Sequence, residues 1–329
     1  MKAIKTLAMA ALATAVFASC SSEDELAQNN YPMDNVVRIM TSVDGMNTRA
    51  SYGNSTDNLN SFGFCIKNAN SEKYTYDNVK VTKEGSNWNP ATQMLWQNST
   101  TAVDILAYAP YLETTEDASG KVKVFGKTDY AFSVKADQSD AEDYSSDLIV
   151  YKKTGFKPES DLNTNQAVDV SFTHLLSQLN LTIELRDQFN QDEKKPVTSA
   201  TVTDVKVDGT FIRSKVNFAA DPISFLRDGQ ASAAITPETV AFKKADKTTD
   251  HATFKYSAIV IPQKVIAGQL CIKFKVDGTD YIWTGTDNAL FESGKKYELH
   301  LLVGKDVVQG GAITAKPWGE ETIIEKETD

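Results

Sequence analysis

The sequence predicts an all-β protein, and three observations carry that prediction. Apolar and polar residues alternate with a period of two in stretch after stretch. Val, Ile, Tyr, Phe and Thr are concentrated in those stretches, as residues that suit a pleated, half-buried surface. Gly- and Asp-containing turn signals separate them, and no window carries a long capped helical pattern.

The first strand is read in "VVRIMTSVDG" (36–45), where Val36, Val37 and Ile39 supply apolar side chains around the core stretch Val36–Met40. The small, polar "GMNTRASYGN" (45–54) follows and holds one arginine, Arg49, followed by Ala50. Further along come "KVKVFG" (121–126), "YAFSVKA" (130–136) and "DLIVY" (147–151). The second half supplies "LNLTIEL" (179–185), "ATVTDVKVDG" (200–209), "FKYSAIVIP" (254–262), "LCIKFKVDG" (270–278) and "YELHLLV" (297–303). Between the strands lie "KEGSN", "DASG", "VDGT", "FLRDGQ", "VDGTD" and "FESGKK". "FKVDGTDYIW" (274–283) is the clearest hairpin, because Asp-Gly tolerates the positive φ of a two-residue turn. The Pro-containing, aperiodic "GFKPESDLNTNQ" (155–166) predicts a boundary between two strand-rich units, 50–165 and 166–329. Strands at this spacing imply sandwiches or barrels.

Residues 1–19, "MKAIKTLAMAALATAVFAS", have the build of a secretory signal peptide: Lys2 and Lys5, a short apolar run, then small residues. Cys20 stands directly after them, so the segment resembles a bacterial lipoprotein signal whose Cys20 thiol is acylated at the new N-terminus. More than one acyl chain is needed for stable anchoring, and lipidation of that kind supplies it. The acidic tether "SSEDELAQNN" (21–30) resembles a surface-export signal of Gram-negative lipoproteins, which places the protein on the outer membrane facing outward.

Acidic residues outnumber basic ones, 44 to 34, for a formal charge of −10, and no basic stripe reverses this locally. Such a surface repels phosphate, which excludes nucleic acid as a partner. Cys65 and Cys271, far apart and each within an apolar strand, read as two buried thiols rather than a bridge. His174, His251 and His300 are scattered, and no motif for hydrolysis, phosphate cradling or metal-dependent proteolysis is present. His174, in "SFTHLLSQL", reads as a hydrogen-bonded structural residue. "DQSDAEDYSSD" (137–147) lacks the glycine and spacing of a calcium loop and reads as solvated. The expectation is a protein that is not an enzyme, with no cofactor and no metal. Trp88, Trp96, Trp283 and Trp318 are read chiefly as core fillers, with a sugar platform as the alternative.

Several stretches in order resemble the fimbrillin family, the subunits and accessory proteins of type V pili in Gram-negative anaerobes. They are "SFGFCI" (61–66), "NWNPATQMLW" (87–96), "VDILAYAPY" (103–111), "VSFTHLLSQLNLTIEL" (170–185), "YSAIVIPQ" (256–263), and "YELHLLVG" followed by "ITAKPW" (297–318). The resemblance spans nearly the whole chain after the signal peptide. It implies two transthyretin-like β-sandwich domains in tandem, lipoprotein export, and polymerisation with other fimbrial subunits by strand exchange. It also implies an Arg-specific protease that cuts between Arg49 and Ala50, making 20–49 a removable lipidated segment. The groove left by the first strand would then accept a segment such as Ala312–Ile324 of a neighbour, pivoting at Gly310 and Gly311. Stalk, tip and anchor roles stay open at this point. A monomeric surface lipoprotein that binds glycan or host protein is the competing expectation.

Overall fold

The computed structural model describes residues 30–43, 56–111, 124–191, 195–226, 232–246, 250–311 and 313–318. These residues form an all-β molecule. Its first sheet has seven strands: β1 (Arg38–Val43), β2 (Ser61–Lys67), β3 (Tyr76–Glu84), β4 (Asn87–Pro90), β5 (Val103–Ala109), β7 (Ile149–Phe156) and β8 (Ala167–His174). Their order across the sheet is β1-β8-β7-β5-β2-β3-β4. All neighbours are antiparallel except β1 and β8, which run parallel from Arg38 opposite Ala167 to Val43 opposite Phe172. The segment after β4 returns to the start of β1: Val37 N donates to Met94 O at 3.0 Å and Trp96 N to Asn35 O at 2.8 Å. The two ends of the sheet therefore meet around a core containing Phe62, Phe64, Ile66, Ile105, Trp96, Phe156 and Phe172.

The sequence boundary at 165 and 166 falls between the single-turn helix α1 (Pro158–Asp161) and β8, two consecutive elements of this first unit. The first sheet continues to His174 because β8 pairs with both β1 and β7. Its central strand β5 does not alternate, since both its faces are covered: Ile105 and Ala107 face the first core, Leu106 and Tyr108 the second.

The second core lies under a six-stranded sheet. In order across it are β13 (Glu238–Lys243), β14 (Ala252–Val260), β9 (Ser177–Leu185), β19 (Lys295–Val303) and β20 (Val308–Gly310), with β21 (Thr314–Pro317) also on β19. Facing it are β10 (Val202–Asp208), β16 (Cys271–Val276) and β17 (Thr279–Thr284). Leu179, Leu181, Ile183 and Leu185 of β9 meet Val202, Val207, Ile272, Phe274 and Val276 in this core. Here the period-two pattern holds, because each sheet has one wet face. A short pair, β15 (Gln263–Val265) with β18 (Ala289–Phe291), completes that side.

β6 (Tyr130–Ser133) leaves the first unit and pairs with β11 (Arg213–Asn217), which also pairs with β12 (Ser224–Leu226). The two halves thus interlock. The strand read in 121–126 differs: Val124–Gly126 enter a turn, pinned where Asp77 Oδ1 accepts from Val124 N at 3.0 Å, and 121–123 lie outside the described residues.

Candidate functional site

The N-terminal strand is the element whose geometry bears most directly on assembly. Ile39 of β1 and Val37 just before it are buried in the first core, at 7% and 3% exposure, while Val36 is half-buried at the bridge to Leu95. Each buried aliphatic side chain contributes roughly 1.5–3 kcal/mol of transfer free energy. Arg38 is exposed and pairs with Asp34 at 2.6 Å, and that guanidinium holds the Asp34 carboxyl below its usual range. In the sheet, β8, β7 and β5 stand between β1 and β2, although β2 is the next strand in the chain. The connection passes through residues 44–55, and among the described residues no ladder joins β1 to β2. Cys20, Arg49 and Ala50 lie outside the described residues.

The C-terminal strand has the opposite character. β21 pairs antiparallel with β19, from Thr314 opposite Glu298 to Pro317 opposite Lys295, and none of its four residues is buried. Its anchor is the next residue. Trp318 is buried and its indole stacks on His174, with ring centroids 4.1 Å apart and planes 4° from parallel. The expected pivot is more constrained than its composition suggests: a Cβ at Gly310 would lie 2.1 Å from Trp283 Nε1, so the main chain there is packed against the indole. Gly311 has open space around it.

His174 is structural in the sense expected. Its Nδ1 is 2.9 Å from Asp147 Oδ1, with both side chains essentially inaccessible. Asp147 closes the acidic stretch 137–147, whose other members also have local partners. Asp137 accepts from Ser139, Asp140 from Glu142 N, and Asp143 from Ser145 N and Lys135. Among the described residues no His, Cys, Asp or Glu cluster has a metal-binding arrangement.

Sequence reading missed a link between the other two histidines. Glu184 of β9 receives His300 Nε2 at 2.7 Å on one oxygen and His251 Nδ1 on the other. The His300 hydrogen bond, aided by His251 against the cost of burial, pulls the Glu184 carboxyl down to about 2, and the same bond raises His300. The sequence signal was limited to His300 lying on β19 and His251 just before β14, the two strands that flank β9.

Cys65 is buried and Cys271 partly exposed, both unbridged, so the expectation of two buried thiols holds for one of them. Burial, followed by the nearby Asp77, pushes the Cys65 thiol well up and leaves it unreactive. Trp96 and Trp318 fill cores, whereas Trp88 and Trp283 remain partly exposed.

The fimbrillin-like family profile matches residues 48–318, which covers the second core and all of the first except Val37 and Ile39, and ends on the Trp318 anchor. The chain belongs to the fimbrillin-like family. Solved structures share its fold over nearly their full length. One from Bacteroides ovatus, provisionally assigned to cell adhesion, superposes with a TM-score of 0.61 at 13% identity, covering 87% of this chain and 98% of its own. A second, from Bacteroides uniformis and assigned in the same way, gives 0.55 at 19% identity, covering 87% and 99%. A fimbrial protein from Bacteroides vulgatus gives 0.50 at 17% identity, covering 86% and 99%. No curated protein matches this sequence. The fimbrillin-like match begins at residue 48, five residues beyond the end of β1 at Val43.

Proposed function

We propose that this fimbrillin-like chain is a structural or accessory subunit of a cell-surface fimbria that contributes to adhesion. It is exported as a lipoprotein through Cys20, held at the outer membrane by its acyl chains, and processed by an Arg-specific protease between Arg49 and Ala50. The cut frees β1, and the vacated position accepts a strand from another subunit. One observation carries the reading: β1 completes the first core from the sheet edge, yet its covalent link to the rest of the chain runs only through 44–55. A cut in that connection leaves the β1–β8 ladder itself intact, and loss of β1 leaves an apolar groove beside an unpaired β8 edge, which favours a strand in trans.

The deciding experiment treats the chain from residue 21 onward with an Arg-specific protease and follows mass and oligomer size. Loss of residues through Arg49, followed by ladder-forming oligomers that Arg49→Ala abolishes, is the expected result. Resistance at Arg49 would sink the processing step, and clean cleavage to a stable monomer would sink strand exchange. Cys20→Ala is expected to move the full-length protein out of the membrane fraction, and unchanged detergent partitioning would end the lipoprotein assignment.

A further inference from the structure

The second unit carries an open groove of about 690 Å³. It lies where the two sheets part, with the end of β17 and the loop into β18 on one side and β20 and β21 on the other. Trp283 is its aromatic wall. A Cβ at Gly310 would come within 2.1 Å of the indole Nε1, and one at Gly285 within 3.2 Å of its Cη2. The ring is therefore packed on main chain at two points, at Gly310 more closely than any Cβ allows, which restrains its orientation before any ligand arrives. Ile282 and Leu290, each 56% exposed, also border the groove.

The polar lining has one sign. Exposed carboxylates Asp287 and Glu292 stand with the Thr284 and Thr286 hydroxyls and the Asn288 amide, and among the described residues no Lys or Arg lines the groove. Carboxylates only accept hydrogen bonds, so the ligand must bring donors, and an anionic ligand would meet repulsion without a counter-charge. An all-apolar strand would instead desolvate two carboxylates and offer them only main-chain N–H groups. A pyranose ring supplies both halves of the match, with C–H faces for an indole and hydroxyl donors at its rim. We propose that the Trp283 groove binds a short neutral oligosaccharide, independently of processing at Arg49.

The test uses the chain from residue 21 onward with lactose, N-acetyllactosamine, maltotriose and mannotriose at millimolar concentration, and 3′-sialyllactose as the anionic comparison. Saturation-transfer NMR reports contact, and indole fluorescence reports Trp283. Asp287→Ala removes an acceptor at an exposed site, and Gly311→Phe fills the groove from a position with open space around it. Transfer to at least one neutral sugar, weakened about tenfold or more in both variants, is the expected result, equivalent to a loss of about 1.4 kcal/mol. No transfer to any neutral sugar, equal transfer in both variants, or binding of sialyllactose alone would overturn the proposal. So would a concentration-dependent dimer that Gly311→Phe dissolves, since that would assign the groove to a second copy of the chain.

Discussion

His174 ends β8 at the point where Trp318 meets the junction of the two units. Its ring takes Asp147 on one edge and Trp318 on one face, and Trp318 N donates to Gly294 O at 3.1 Å, beside the start of β19. His174→Ala removes the buried hydrogen bond to Asp147 and the stack on Trp318, and is expected to cost about 1–3 kcal/mol in urea unfolding. A double-mutant cycle with Trp318→Ala is expected to show coupling; strict additivity would refute the stack as an anchor. The Glu184 cluster gives a pH signature instead. A carboxyl lowered from 4.5 to about 2 contributes stability above pH 4.5 that is lost as pH falls toward 2. His300, raised above 6.5, contributes stability below 6.5 that is lost as pH rises through its elevated value. Stability from the pair therefore peaks between those limits, and Glu184→Gln is expected to flatten the profile by only about 0.2–1 kcal/mol, since the His300 side chain is 57% exposed. An unchanged profile in E184Q would remove the cluster from the account. The sequence identified His174 as structural from its place in a strand. Its Asp147 partner stands 27 residues earlier, in a stretch that reads as solvated, and only folding brings the two together.

Hairpins were the elements most legible in the sequence, because a turn is a local decision. β16 and β17 pair as expected around Asp277 and Gly278, whose φ values of 52° and 84° are those a two-residue turn demands. β1 was legible as a strand, yet its partner was not, since β8 lies about 130 residues later and parallel pairing leaves no turn signal. That pairing makes a prediction at the element scale. Ile39→Ala removes most of a buried side chain from an edge strand and is expected to cost about 2 kcal/mol, the low end for such sites. In chain nicked at Arg49 the same change is expected to speed release of the N-terminal fragment, read by size exclusion under native conditions. Release at the wild-type rate would mean that β1 is held by something other than its apolar face.

The whole molecule is joined by more than a linker. Phe218, 1% exposed, packs on Tyr108 of β5 at 5.8 Å and on Tyr130 of β6 at 5.4 Å. Lys152 of β7 donates to the carbonyls of Phe218, Ala219 and Ala220 at 3.1, 3.2 and 2.7 Å. With β6 given to the second unit and β5 buried on both faces, neither unit retains a complete core alone. Phe218→Ala is expected to cost about 3–5 kcal/mol, and amide exchange followed by mass spectrometry is expected to accelerate in β5 and β14 together. Acceleration confined to one of them would show that the units unfold independently.

By itself the sequence determined the all-β class, the local turns, the alternating strands of the second core and the order of stretches that marks a fimbrillin-like chain. These depend on contacts within a few residues or on a face that is wet on one side, so composition and period reveal them. Only the tertiary structure decided that the first sheet runs on to His174, that β6 crosses between units, and that β5 is covered on both faces. It alone placed His251 and His300 on one carboxylate and Trp283 on a glycine main chain. Each of those joins residues from distant strands, and a strand's sequence records which side chains it buries but not which neighbour buries them.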